Sequence, residues 1–137
     1  WRIPLLLRSN PLPPSRFVPA ADAQIRYTGM WFPWTTTRDA ADDDLPRAAQ
    51  SHGASAEILF TGSGIDYIGE KTAGLGEVDI FLDGESQGTT SLRVDDFPVL
   101  LGVTLYSTQG LRRGKHLLRL VCRSDARINL QGFRIYS

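Results

Sequence analysis

The side chains best suited to chemistry in this sequence begin with one short stretch, Trp31, Phe32 and Trp34, the most unusual local composition in the chain. Flat aromatic faces of this kind can receive the C–H side of a pyranose, whose hydroxyls then need charged or amide partners. Asp79, Arg119 and Asn129 supply such partners on segments with strand periodicity, and Tyr67, Tyr106 and Phe97 add further rings. Every one of these residues also has a structural use. Trp31 and Trp34 can plug the end of a sandwich, Tyr67 and Tyr106 can pack in a core, and Phe97 can anchor its turn. Asp79 and Arg119 can stand as a solvated surface pair, and Asn129 near the final turn carries the same alternative.

Other chemistries find less support. The chain has no Gly-x-Ser-x-Gly elbow, metalloprotease helix or phosphate loop, and Gly62-Ser63-Gly64 is too short to stand in for one. Asp42, Asp43 and Asp44 offer oxygen ligands for calcium but lack the alternating ligands and glycine of an EF-hand loop. His52 and His116 are far apart with no zinc motif, and His116 reads as a strand residue that satisfies a turn. Cys122 lies in an apolar run and reads as a small buried hydrophobe. No catalytic residue is assigned, and the chain is read as a non-enzyme.

Composition narrows the partners. The 137 residues fit one domain with a core that needs no disulfide or metal staple. Lys plus Arg equals Asp plus Glu at 15 each, which removes the electrostatic attraction to phosphate on which general nucleic-acid binding relies. No run reaches the roughly 18 to 20 apolar residues of a spanning helix. The start, residues 1–7, is apolar but broken by Arg2 and Pro4 and has no initiator Met, so it reads as a processed or excised piece.

The elements that must position these residues read as strands. EVDIFLDGESQGTTSLR (77–93) alternates Val78, Ile80 and Leu82 with Glu77, Asp79 and Phe81, then turns at Asp83-Gly84, the pattern of a β-hairpin. Residues 24–28 read as the first clear strand, and AEILFTGSGIDYIG (56–69) as two strands or one bent strand. Residues 99–106 place Val99, Leu101, Val103 and Leu105 on one side, and 110–122 and 127–136 give a turn, a strand and a closing strand. Residues 35–53 read as irregular, with one helical turn near 46–50. Prolines at 4, 11, 13, 14 and 19 make residues 1–22 a Pro-rich linker or packing strap, leaving 23–137 as the folded domain.

IRYTGMW (25–31), AEILFTGSGIDYIG, VDIFLDGESQG, GLRRGKHLLRL and INLQGFRIY together resemble, in that order, the galactose-binding-like jelly-roll domains that include many carbohydrate-binding modules. The resemblance implies an all-β fold, an antiparallel β-sandwich of jelly-roll type. It implies a carbohydrate partner, a neighbouring catalytic domain in a larger enzyme, and an extracellular or periplasmic location. Sugar binding would fall to Trp31, Trp34, Tyr67, Asp79, Phe97, Tyr106, Arg119 and Asn129. The alternative is a structural sandwich packing against a catalytic or neighbouring domain. No cofactor is expected. Some members hold a structural calcium ion, but Gln131 stands where the family commonly has an acidic residue, which counts against that ion here.

Overall fold

The computed structural model describes residues 13–34, 45–95 and 99–137. Among them run twelve strands and no helix: β1 (Ser15–Pro19), β2 (Ile25–Thr28), β3 (Phe32–Pro33), β4 (Arg47–Ala49), β5 (Ser55–Gly62), β6 (Gly64–Lys71), β7 (Glu77–Leu82), β8 (Glu85–Ser91), β9 (Leu100–Thr108), β10 (Gly114–Cys122), β11 (Ile128–Leu130) and β12 (Gly132–Tyr136). They form a four-stranded sheet in the order β1-β12-β6-β9, a five-stranded sheet β2-β5-β10-β7-β8, and a small sheet β11-β4-β3. The pairings are antiparallel throughout.

Period-two alternation makes the core. In β7 Val78, Ile80 and Leu82 are buried while Glu77, Asp79 and Phe81 face outward, and in β10 Leu118, Leu120 and Cys122 are buried between more exposed neighbours. These meet Val18, Ile65, Tyr67, Phe133 and Ile135 from the four-stranded sheet. Fully burying an aliphatic or aromatic side chain of this size stabilises the fold by about 1.5 to 3 kcal/mol. The β7–β8 hairpin turns at Asp83 (φ 51°) and Gly84 (φ 83°), positive at both central residues as a tight I′-type turn requires.

Four local expectations change. Residues 47–49 form β4 rather than a helical turn, because Ala48 and Ala49 are needed between β11 and β3, where small side chains fit. Val99 and Leu101 are exposed, since register shifts between Tyr67 and Ile68 and between Gly69 and Lys71 break the expected alternation against β9. The closing segment divides at Gln131 into β11 and β12, which join different sheets. Within the 1–22 segment expected as a linker or strap, Ser15–Pro19 pairs along β12, so the sandwich reaches back beyond residue 23.

Candidate functional site

The outer face of the five-stranded sheet carries most of the solvent-facing chemistry. Cross-strand pairing sets Arg26, Glu57, Arg119, Phe81 and Ser86 in one row across all five strands. Arg26 forms an ion pair with Glu57 at 3.7 Å. Beside this row Leu59 and Leu117 pair across β5 and β10, and Leu59 is 57% exposed, unusual for a leucine in the middle of a sheet. Two hollows lie here, one of about 290 Å³ lined by Gln24, Arg26, Glu57, Leu59 and Leu117. The other, of about 350 Å³, is lined by Glu57, Phe81, Gly84, Leu117 and Arg119. Because they share Glu57 and Leu117, they adjoin.

At one end of the same sheet is a cleft of about 330 Å³, lined by Leu75, Gly76, Glu77, Ser91, Arg93, Arg123, Ser124 and Ala126. That is the lower end of the size range of small-molecule pockets, about 300 to 1,000 Å³. Arg123 is its most constrained cation. Its Nη1 donates to Thr89 Oγ1 at 2.7 Å and lies 3.4 Å from Asp79 Oδ1, while its Nε is 3.9 Å from Glu77 Oε2. The Thr89 hydroxyl in turn donates to Asp79 Oδ1 at 2.7 Å. Two carboxylates and a hydroxyl thus surround one half-exposed guanidinium, which sets hydrogen-bond donors and acceptors side by side at the cleft. Arg93 and Asp95 make a second, more exposed pair at 3.4 Å.

The expected site residues separate. Asp79 and Arg119 do share the outer face, in different rows: Arg119 pairs with Phe81, whereas Asp79 pairs with Val121 and engages Arg123. Trp31 and Trp34 are partly buried and pack against the core. Trp31 lies against Tyr27, ring centroids 4.9 Å apart, and its Nε1 donates to the Thr28 carbonyl at 3.1 Å. Trp34 and Phe32 each have the Arg127 guanidinium over the ring, at 5.7 and 5.5 Å. One side of each ring is therefore engaged within the chain. The Arg127 Nε is buried with no hydrogen-bond partner among the described residues, while its Nη2 donates to Gln50 Oε1 at 3.2 Å.

Tyr67 and Asn129 are removed from any surface site. Tyr67 is fully buried, stacks near Phe133 and donates its hydroxyl to the Asn129 carbonyl, and burial pushes its pKa well up. Asn129 is also fully buried; its Oδ1 accepts from Glu70 N at 2.8 Å and its Nδ2 donates to Glu70 O at 3.0 Å. Local periodicity placed both on strands but could not say that the strand β6 is covered on both faces. Tyr106 is partly buried, donates to Gln87 Oε1 at 3.1 Å and so ties β9 to β8, away from the row of Arg119. Phe97 and the Asp42, Asp43 and Asp44 run lie outside the described residues.

Arg123, Phe81, Leu59 and Leu117 were missed as candidates. The signal for the last three was present, since each is a large apolar residue at an outward position of an alternating strand. Nothing local marks Arg123, whose partners come from β7 and β8. Of the remaining titratable groups, His116 accepts a structural role: Nδ1 is 2.7 Å from Asp83 Oδ2 and Nε2 is 2.6 Å from the Arg112 carbonyl. Cys122 is buried, and burial raises its thiol pKa. Among the described residues no three His, Cys, Asp or Glu side chains gather as a metal site. Gln131 at the position that bears on calcium has its Oε1 buried without a partner among those residues.

No protein-family model matches the sequence. It is 32% identical over 117 residues to an A type blood alpha-D-galactosamine galactosaminidase of Flavonifractor plautii, covering 84% of this chain and 10% of that enzyme. It is 28% identical over 101 residues to an A type blood N-acetyl-alpha-D-galactosamine deacetylase of the same organism, covering 74% of this chain and 12% of that enzyme. The chain thus spans about a tenth of the length of the curated relatives it matches. Among solved structures it superposes on a two-domain esterase active on acetylated mannans with a TM-score of 0.66 at 15% identity, covering 92% of this chain and 37% of that one. It also superposes on the CBM36-1 domain of a multidomain xylanase from the hindgut metagenome of Trinervitermes trinervoides, with a TM-score of 0.59 at 12% identity, covering 90% of this chain and 98% of that one. The fold is accordingly an antiparallel β-sandwich of the kind that carbohydrate-binding modules adopt. Among the described residues no helix is long and apolar enough to cross a membrane.

Proposed function

We propose that this chain is a non-catalytic carbohydrate-binding module of a larger, secreted carbohydrate-active enzyme, and that the sugar enters the cleft around Arg123. One observation carries the reading. Segments similar to this chain occur in two enzymes whose names describe different chemistry, a galactosaminidase and a deacetylase, and amount to 10% and 12% of their lengths. A part similar to segments of both is not what distinguishes their reactions, whereas both names give a galactosamine sugar of A type blood. Recognition of the sugar is the task such a part has in common. The cleft supports it chemically, because Arg123, Glu77, Asp79 and Thr89 present donors and acceptors for hydroxyls side by side.

The test is a glycan array carrying terminal N-acetylgalactosamine, galactosamine and galactose. The chain binds some of these glycans without cleaving or deacetylating them. Arg123→Ala weakens binding about tenfold or more, as loss of a charge-assisted contact should, while Trp34→Ala retains it. A second reading, a sandwich that packs against a neighbouring domain, is favoured by the exposed consecutive run Val99, Leu100 and Leu101 at the start of the edge strand β9. No retained glycan, with tight association to a companion domain of the parent enzyme, would replace the first reading by this one.

A further inference from the structure

The cleft around Arg123 lies at the end of the sheet that carries the two adjoining hollows; Glu77 of β7 lines the cleft, and Phe81, two outward-facing positions further along β7, lines the nearer hollow. We infer that they form one continuous path, so that the module takes an oligosaccharide rather than a single sugar. In this arrangement one residue of the glycan lies at Arg123 and the chain runs along β7 and β10 to Phe81 and Arg119. The inference rests on the cleft being the sugar site.

The spacing of β7 gives the length. Glu77, which lines the cleft, and Phe81, which lines the nearer hollow, are four positions apart on one strand and point the same way, which at about 3.3 Å per residue separates them by about 13 Å. That is further than one sugar ring reaches and within the span of a short oligosaccharide. The row between them is not a barrier: Val121 of β10 pairs with Asp79, and Asp79 pairs with Thr89, the residues that hold Arg123. At the far end Phe81, Leu117 and Leu59 supply the apolar faces that ring C–H groups need, and Arg119, Glu57, Arg26 and Gln24 supply the hydroxyl partners.

Charge bears on the class of glycan. Arg26 is paired with Glu57, and Arg123 is shared between Glu77 and Asp79. Most cations along the path are therefore matched by carboxylates, which suits an uncharged polyhydroxy chain and opposes a polyanionic one. Uncovered leucine and phenylalanine on a sheet face also explain why this face departs from the polar exterior that alternation would otherwise give.

The experiment is calorimetric titration of the chain with N-acetylgalactosamine, the blood-group A trisaccharide and the A tetrasaccharide. The two oligosaccharides bind about tenfold or more tighter than the monosaccharide. The double variant Phe81→Ala/Arg119→Ala removes that gain and leaves monosaccharide affinity unchanged, whereas Arg123→Ala weakens all three ligands. Both sites are outward-facing, and circular dichroism with a thermal melt verifies that the variants fold. Equal affinity for the three ligands, or a double variant that keeps the gain, overturns the extended path and leaves the cleft reading standing. Failure of all three ligands to bind overturns both.

Discussion

His116 shows how one residue can be legible by type and not by circumstance. Its Nδ1 faces the Asp83 carboxylate and its Nε2 faces the Arg112 carbonyl, and both are acceptors, so only the doubly protonated ring satisfies them together. The hydrogen bond His116 donates to Asp83, then the one to the Arg112 carbonyl, raises the His116 pKa above its ordinary 6.5, and the same bond to Asp83, with the Leu117 amide, lowers Asp83 below 3.8. The signs follow by linkage. The histidine contribution is complete below 6.5 and is lost as pH rises through the higher folded value. The aspartate contribution is complete above 3.8 and is lost as pH falls through the lower folded value. Thermal melts across pH should therefore show greatest stability between these limits and a decline on the alkaline side. His116→Gln should flatten that alkaline decline, and a decline of unchanged size in the variant would assign it to other groups. The sequence indicated a turn-satisfying histidine, but Asp83 lies 33 positions away and only the hairpin brings it there.

At the scale of elements, alternation carried the reading well wherever a strand has one face in the core, as in β7 and β10, and failed where that condition lapses. β6 is buried on both faces, so Tyr67 lost any claim to a surface. β9 crosses two register shifts, so Val99 and Leu101 do not share the burial of Leu105. Asn129 is the instructive error. An asparagine near a turn reads as a polar surface group, yet its amide replaces strand pairing between β11 and Glu70 of β6. Gly69 permits this, since a Cβ there would meet the Asn129 Oδ1 at 2.7 Å. Asn129→Ala leaves the Glu70 backbone N–H and C=O without those partners, and the expected cost is about 2 to 6 kcal/mol in denaturant unfolding, at about 1 to 3 kcal/mol for each hydrogen-bonding group that loses its partner. A loss below about 0.5 kcal/mol, within the range of ordinary surface substitutions, would show that water or relaxation replaces the pair.

For the molecule as a whole, the strand and turn signals of residues 56–69, 77–93 and 110–136 were enough to identify an all-β sandwich, because each rests on short-range periodicity. The proposed binding surface was legible only in part. Asp79 and Arg119 fell on the outer face of the five-stranded sheet, but Arg123 depends on partners from β7 and β8, and the prominence of Trp31 and Trp34 in composition says nothing of Tyr27 and Arg127 lying against them. The central claim is that sugar recognition belongs to the Arg123 cleft and not to the aromatic loop. A nuclear magnetic resonance titration of the isotope-labelled chain with N-acetylgalactosamine tests it most directly. The account predicts concentration-dependent shifts at the amides of Gly76, Glu77, Ser91 and Ser124, with the indole N–H signals of Trp31 and Trp34 unmoved; shifts at those indoles with the cleft amides silent would contradict it.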